Sequence, residues 1–183
     1  MNLDEAAALL AELSGQEVRP YATRDFGRDQ NPAARSVAVS LDDSFEILGE
    51  IRPQLGPGIL AFVGCTRSLA EGADPEGSEV VVACGDNQFD ILRIAQTDAA
   101  NFDMDTEDLV RKLQEYDAKF GIDIFHAETD TIQFRLLQLP DDMPAFCSDL
   151  YEFCPDIVDQ GVESEEELGR IISESSVVYL WWD

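Results

Sequence analysis

IDIFHAETDTIQFRLLQL, Ile122 to Leu139, is the stretch on which the fold turns. Two apolar, β-forming runs, IDIFHA and TIQFRLLQL, flank the tripeptide ETD, a spacing that suits a hairpin. Elsewhere in the chain strands and helices alternate, which favours parallel strands; a hairpin makes the sheet mixed.

Outward from the hairpin the punctuation is clear. Thr106, with Glu107 and Asp108 in the first turn, starts a helix that runs to Phe120, and Gly121 closes it. MPAFCSDLYEF is helical, with Phe146, Leu150 and Phe153 along one stripe; SEEELGRIISES is a second helix with glutamates at its start. VVYLWWD is a strand too apolar to be solvated, and is expected inside the sheet or beneath helices. Toward the N-terminus, Asp86 or Asn87 is the expected cap of a helix bearing Phe89, Leu92 and Ile94. VVVAC and ILAFVGC have the continuous apolar pattern of strands buried on both faces, and SVAVSL is a short β run. Asp42 and Asp43 are expected to cap a helix with Phe45, Leu48 and Ile51 on one face, which Pro53 and the Gly-Pro-Gly at 56–58 end. Tyr21 to Ala34, with Asn31 before Pro32, reads as a loop. LDEAAALLAEL is a helix with Asn2 and Glu5 placed as a capping box and Gly15 as its stop.

The expected fold is therefore α/β or α+β: a mixed β-sheet with helices packed on it, as one compact unit or two closely packed halves. The Gly-, Pro- and Glu-rich EGADPEGSE at 71–79 is the candidate boundary, with a long surface hairpin loop within one sheet as the equal alternative. It divides an N-terminal α/β portion, 1–78, from a C-terminal α/β domain, 79–183.

Charge narrows the function classes. Thirty-eight acidic residues against 12 basic ones leave a net charge of −26, and the last third, 122–183, carries 15 acids and 2 bases. Such a surface repels phosphate backbones and anionic lipid, so neither direct nucleic-acid binding nor membrane binding is expected. A basic protein is attracted instead. No apolar run is long enough to span a bilayer, and no basic start precedes an apolar stretch as in a secretory signal, so the expected location is the cytoplasm. The four cysteines are expected as reduced thiols, mostly buried.

Motifs for catalysis or metal are weak. Cys147 and Cys154 are seven residues apart, but a zinc site needs further ligands and His126 is the only histidine. Asp103 and Asp105 have the alternate spacing of a calcium loop, yet the glycine at its sixth position and the glutamate at its twelfth are missing; a helix cap is the better reading. GCT at 64–66 and GDN at 85–87 lack the glycines and lysine of a phosphate cradle. No serine or cysteine has a convincing base, and His126 ends an apolar β run, where a structural role is favoured. No catalytic residue, metal or cofactor is assigned.

The remaining constellation is FCPDIVDQG, Phe153 to Gly161, with WWD at 181–183. Pro155 ends a helix and moves Cys154 out of helical geometry. Phe153 stays in the core, Asp156 and Asp159 accept backbone N–H groups in the turn, and Gly161 permits a positive φ. Trp181 and Trp182 fix the corner against the sheet. With NFD at 101–103 and the helix and hairpin after it, these motifs resemble the bacterial family catalogued as domain of unknown function 4253, over about residues 80–183. That family supplies no established activity and no catalytic residues.

Size, acidity and the lack of a catalytic set point to an acidic cytoplasmic immunity protein, which binds and neutralises a basic antibacterial toxin, foremost a nuclease. Expected partner-binding residues are Asp141, Asp142, Asp149, Asp156, Asp159, Glu163, Glu165 and Glu166. The alternative is a small-ligand-binding or hydrolytic domain centred on FCPDIVDQG.

Overall fold

A computed structural model describes residues 1–22, 30–64 and 77–183. Most of the 71–79 connection, together with Cys65 and Thr66 of the GCT motif, lies outside the described residues. By packing, the chain divides into a first unit, Met1–Gln96 with His126–Thr129, and a second, Thr97–Phe125 with Asp130–Asp183. The fold is α+β with mixed strand pairing.

In the first unit, α1 (Leu3–Ser14) has the expected capping box: Glu5 donates its backbone N–H to Asn2 and its carboxylate accepts that of Asn2, at 2.9 and 2.8 Å. Gly15, at φ 65°, closes the helix in the left-handed conformation that glycine adopts without strain. The described ends of the stretch expected as a loop are strands: Tyr21 and Ala22 end β1 (Arg19–Ala22) and 30–34 begin β2 (Gln30–Ser40), while 23–29 lie outside the described residues. Pro32 is tolerated because the β1–β2 register is broken there: Pro20 faces Arg35, but Tyr21 faces Asn31, so Pro32 has no ladder partner on β1.

Ser40, rather than Asp42 or Asp43, is the N-cap of α2 (Leu41–Ile51), its hydroxyl accepting the Asp43 N–H. Ile47, Leu48 and Ile51 form the buried face of α2, whereas Phe45 is exposed. Next come β3 (Ile59–Gly64) and β4 (Gly77–Cys84), and the strand order is β1-β2-β4-β3, antiparallel throughout. β4 is internal, and Val80 to Ala83 are buried on both faces, as their unbroken apolar pattern predicts. Glu79 is also buried, in an ion pair with Arg19. Cys84, expected inside, is exposed at the end of β4. A parallel pairing of Val63 with His126 makes the pairing mixed. His126 is buried with Nε2 2.7 Å from Glu128 Oε1. In α3 (Asp90–Ala95) neither Asp86 nor Asn87 is the cap: the Asp90 carboxylate accepts the backbone N–H of both.

The second unit opens with a single 3-10 turn, Ala100–Phe102, and Asp103 in the left-handed region at φ 56°. Asp105 caps α4 (Thr106–Phe120) in a reciprocal capping box with Asp108, in keeping with the cap reading of this acidic stretch. β5 (Ile122–Ala127) and β6 (Thr131–Leu136) are neighbouring strands joined by three residues, as the hairpin reading requires. The β6 run stops at Leu136, short of Leu139, and Leu137 and Leu139 are exposed.

Then follow α5 (Met143–Phe153), a five-residue π-turn at Ile157–Gly161, α6 (Glu165–Ser175) and β7 (Val177–Trp181), antiparallel to β6. β7 is an edge strand and not an internal one. It tolerates the edge because only Val178 and Leu180 are fully buried, while Tyr179 faces solvent. The core of this unit is aromatic: Tyr116 packs against Phe134, Phe146 and Phe153, and Phe146 meets Phe120 edge to face.

Candidate functional site

At the FCPD corner, α5 stops at Phe153 because Pro155 can neither donate a hydrogen bond nor let Cys154 stay helical. Cys154 stands at φ −140°, ψ 81°, and its N–H closes the last turn on the Leu150 carbonyl at 2.7 Å. Its side chain turns inward, and the thiol donates to the Trp181 carbonyl at 3.0 Å. Trp182 is buried beside it: its Nε1–H donates to the Phe153 carbonyl at 3.3 Å, and its ring meets that of Phe153 edge to face at 5.4 Å.

Asp156 is buried as well. Its carboxylate accepts the Asp183 N–H and the Gln160 side-chain amide, both at 2.9 Å. It accepts a backbone N–H, as expected, but from a residue 27 positions away rather than from its own turn. Asp159 accepts the Tyr151 hydroxyl at 3.2 Å. Gly161 is not in the left-handed region; it ends the π-turn, where the Val162 N–H reaches the Ile157 carbonyl.

Residues 79–183 match the family model described as a domain of unknown function, DUF4253. The chain belongs to the DUF4253 family. Comparisons with curated proteins and with solved structures gave no match. The matched segment begins inside β4 and contains the whole of the corner.

Within the DUF4253 segment the corner's polar groups are held by the chain itself. Burial pushes the Cys154 thiol up to about 12, against the smaller opposing effect of its backbone hydrogen bonds. A thiol with that value is thiolate in only about one molecule in 10⁵ at neutral pH, too few for an effective nucleophile. Cys147 and Cys154 are both free and buried, and among the described residues no three His, Cys, Asp or Glu side chains are grouped to hold a metal.

The eight expected partner-binding acids have different fates. Asp141, Asp142, Asp159, Glu163 and Glu166 are exposed, and Glu165 is half-buried. No ion pair engages any of these six among the described residues. Asp156, expected on the surface, is withdrawn by the two hydrogen bonds above. Asp149 belongs to a clamp between α4 and α5 that the sequence reading missed. Its carboxylate accepts the Lys112 ammonium at 2.7 Å and the Tyr116 hydroxyl at 2.8 Å, and the ammonium lies over the Tyr116 ring, 5.1 Å from its centre. The available signal was one of only two lysines placed four residues before a tyrosine on one helix face.

Burial opposes ionisation of Asp149, but hydrogen bonds from Lys112 and Tyr116 and the nearby ammonium charges together hold it below the usual carboxylate value. A carboxyl lowered in the folded state contributes stability that is fully present above its unfolded value of 3.8 and is lost as pH falls through the folded value. Asp149→Asn is therefore expected to cost about 1 kcal/mol at pH 7, a modest figure because the carboxylate is partly exposed. In urea titrations the difference from the unmodified chain shrinks below pH 3.8; a difference that persists at lower pH would mean that the ionised carboxylate is not its source.

Proposed function

We propose that this chain is an immunity protein, an acidic cytoplasmic inhibitor that captures a basic secreted antibacterial toxin, foremost a nuclease. The observation that carries the reading is the set of exposed carboxylates on the last third of the chain, Asp141, Asp142, Asp159, Glu163 and Glu166, none of which forms an ion pair among the described residues. The arginine nearest in sequence to Asp159, Glu163 and Glu166, Arg170, is already bound by Glu167 and Glu174.

A nuclease presents a basic surface shaped to take phosphates, and exposed carboxylates compete for it with the same sign of charge. Long-range attraction between a −26 chain and such a surface speeds capture, which suits an inhibitor that must act before the toxin cuts. The corner supports the same reading from the other side: Cys154 and Asp156, its best candidates for chemistry, are engaged in holding residues 181–183.

The test is a DNA-cleavage assay at low salt with a basic toxin nuclease domain, taken from a neighbouring gene if one encodes it. One equivalent of the chain is expected to stop cleavage. Digestion that continues in the presence of excess chain would end the proposal.

A further inference from the structure

Between α5 and α6 runs a mainly apolar groove of roughly 340 Å³, at the small end of ligand pockets. Its buried members are Cys147 and Gly169, and Met143 is half-buried. Gly169 keeps the two helices' side chains close there: a Cβ would come within 3.2 Å of Met143 Cγ and 3.3 Å of Cys147 Sγ, tight contacts that those side chains would have to yield to. Polar side chains line the same groove: Glu165, Glu166 and Arg170, with Ser173 one turn along α6. Arg170 is neutralised by Glu167 and Glu174, so the charge facing an incoming group is that of Glu165 and Glu166.

Apolar walls beside two carboxylates without an ion pair among the described residues match one kind of side chain, a long aliphatic stem ending in a cation. We propose that this groove is the anchor point for a single arginine or lysine of the basic partner, its methylenes against Met143 and Cys147 and its cation at Glu165 and Glu166. The inference rests on the acidic-inhibitor reading and adds to it: the exposed acids steer the partner, and the groove holds it. Such a division is common at interfaces, where one buried anchor supplies most of the affinity and peripheral charge sets the association rate.

Two hexapeptides separate anchoring from general attraction. One is hexa-arginine; the other carries the same guanidinium groups on a single methylene in place of three. Titration calorimetry with the full chain at low salt is expected to show hexa-arginine binding about tenfold more tightly, the effect of burying roughly two methylenes. Ser173→Leu, an exposed position where leucine favours the helix, is expected to fill the groove and remove that advantage while leaving the weaker binding intact. Backbone amide signals of Gly169 and Ser173 in the isotope-labelled, unmodified chain are expected to shift with hexa-arginine and not with its short homologue. Equal affinity for the two peptides, or an advantage that survives Ser173→Leu, overturns the groove and leaves the acidic face standing. Failure of both peptides to bind overturns both.

Discussion

Trp182→Ala is expected to destabilise the protein by about 3–5 kcal/mol and to lower Tm by roughly 10 °C. The side chain is buried, its ring lies against Phe153, and its indole N–H satisfies the Phe153 carbonyl left free where α5 ends. Truncation removes the packing and also strands that carbonyl in a dry place, a second cost on top of the cavity. Against a usual total of about 5–15 kcal/mol, the loss is large enough to unfold a marginal domain. Cys154→Ala, at the same corner, removes only a small side chain and a weak thiol hydrogen bond, and is expected to cost less than about 2 kcal/mol. Equal thermal shifts for the two variants would show that the corner is not anchored by the tryptophan.

The second large effect concerns binding. The combined variant D141N/D142N/E163Q/E166Q is expected to weaken the complex with a basic nuclease domain roughly 10²-fold at low salt, by slowing association and, through Glu166 in the groove, by speeding dissociation. Little of this loss can come from folding. Asp142 caps α5 through the Ala145 N–H, and asparagine caps as well as aspartate. Glu163 and Glu166 are exposed beside the start of α6, where each charge is worth only a few tenths of a kcal/mol. The control changes net charge equally but on the first unit, at the exposed residues Asp4, Asp42, Glu46 and Glu50. That control should lose less than about tenfold, because it leaves the carboxylates that are proposed to meet the partner in place. Equal losses would mean that total charge matters and the face does not.

The parts of the fold that were legible in the sequence are those written locally. The capping box at Asn2 and Glu5, the helix from Thr106 to Gly121 and the ETD hairpin each depend on residues within one turn of each other, and each is where its pattern placed it. What misled the reading depends on partners far along the chain. Pro32 looked like a loop residue because a proline cannot serve a ladder, and only the register break against β1 lets it sit in a strand. The apolar composition of β7 suggested an internal strand, yet one covered face and an exposed Tyr179 are enough for an edge.

The corner was legible as a helix exit, since Pro155 acts on its own neighbours. Its other contacts were not. Asp156 reaches Asp183 and Cys154 reaches Trp181, each across 27 residues, and the clamp brings Lys112 to Asp149 across 37. No spacing rule links positions that distant. The acidity of the last third was visible at once, but which of its carboxylates are buried or paired required the packing.

The most direct test of the central claim, that exposed acidic residues recognise a basic protein, is the dissociation constant of the complex with a basic toxin nuclease domain at 50 and 500 mM salt. Recognition by charge is expected to give a tight complex at the lower concentration and one weakened by about two orders of magnitude or more at the higher, chiefly through association. No complex at 50 mM, or an affinity unchanged between the two, would contradict it.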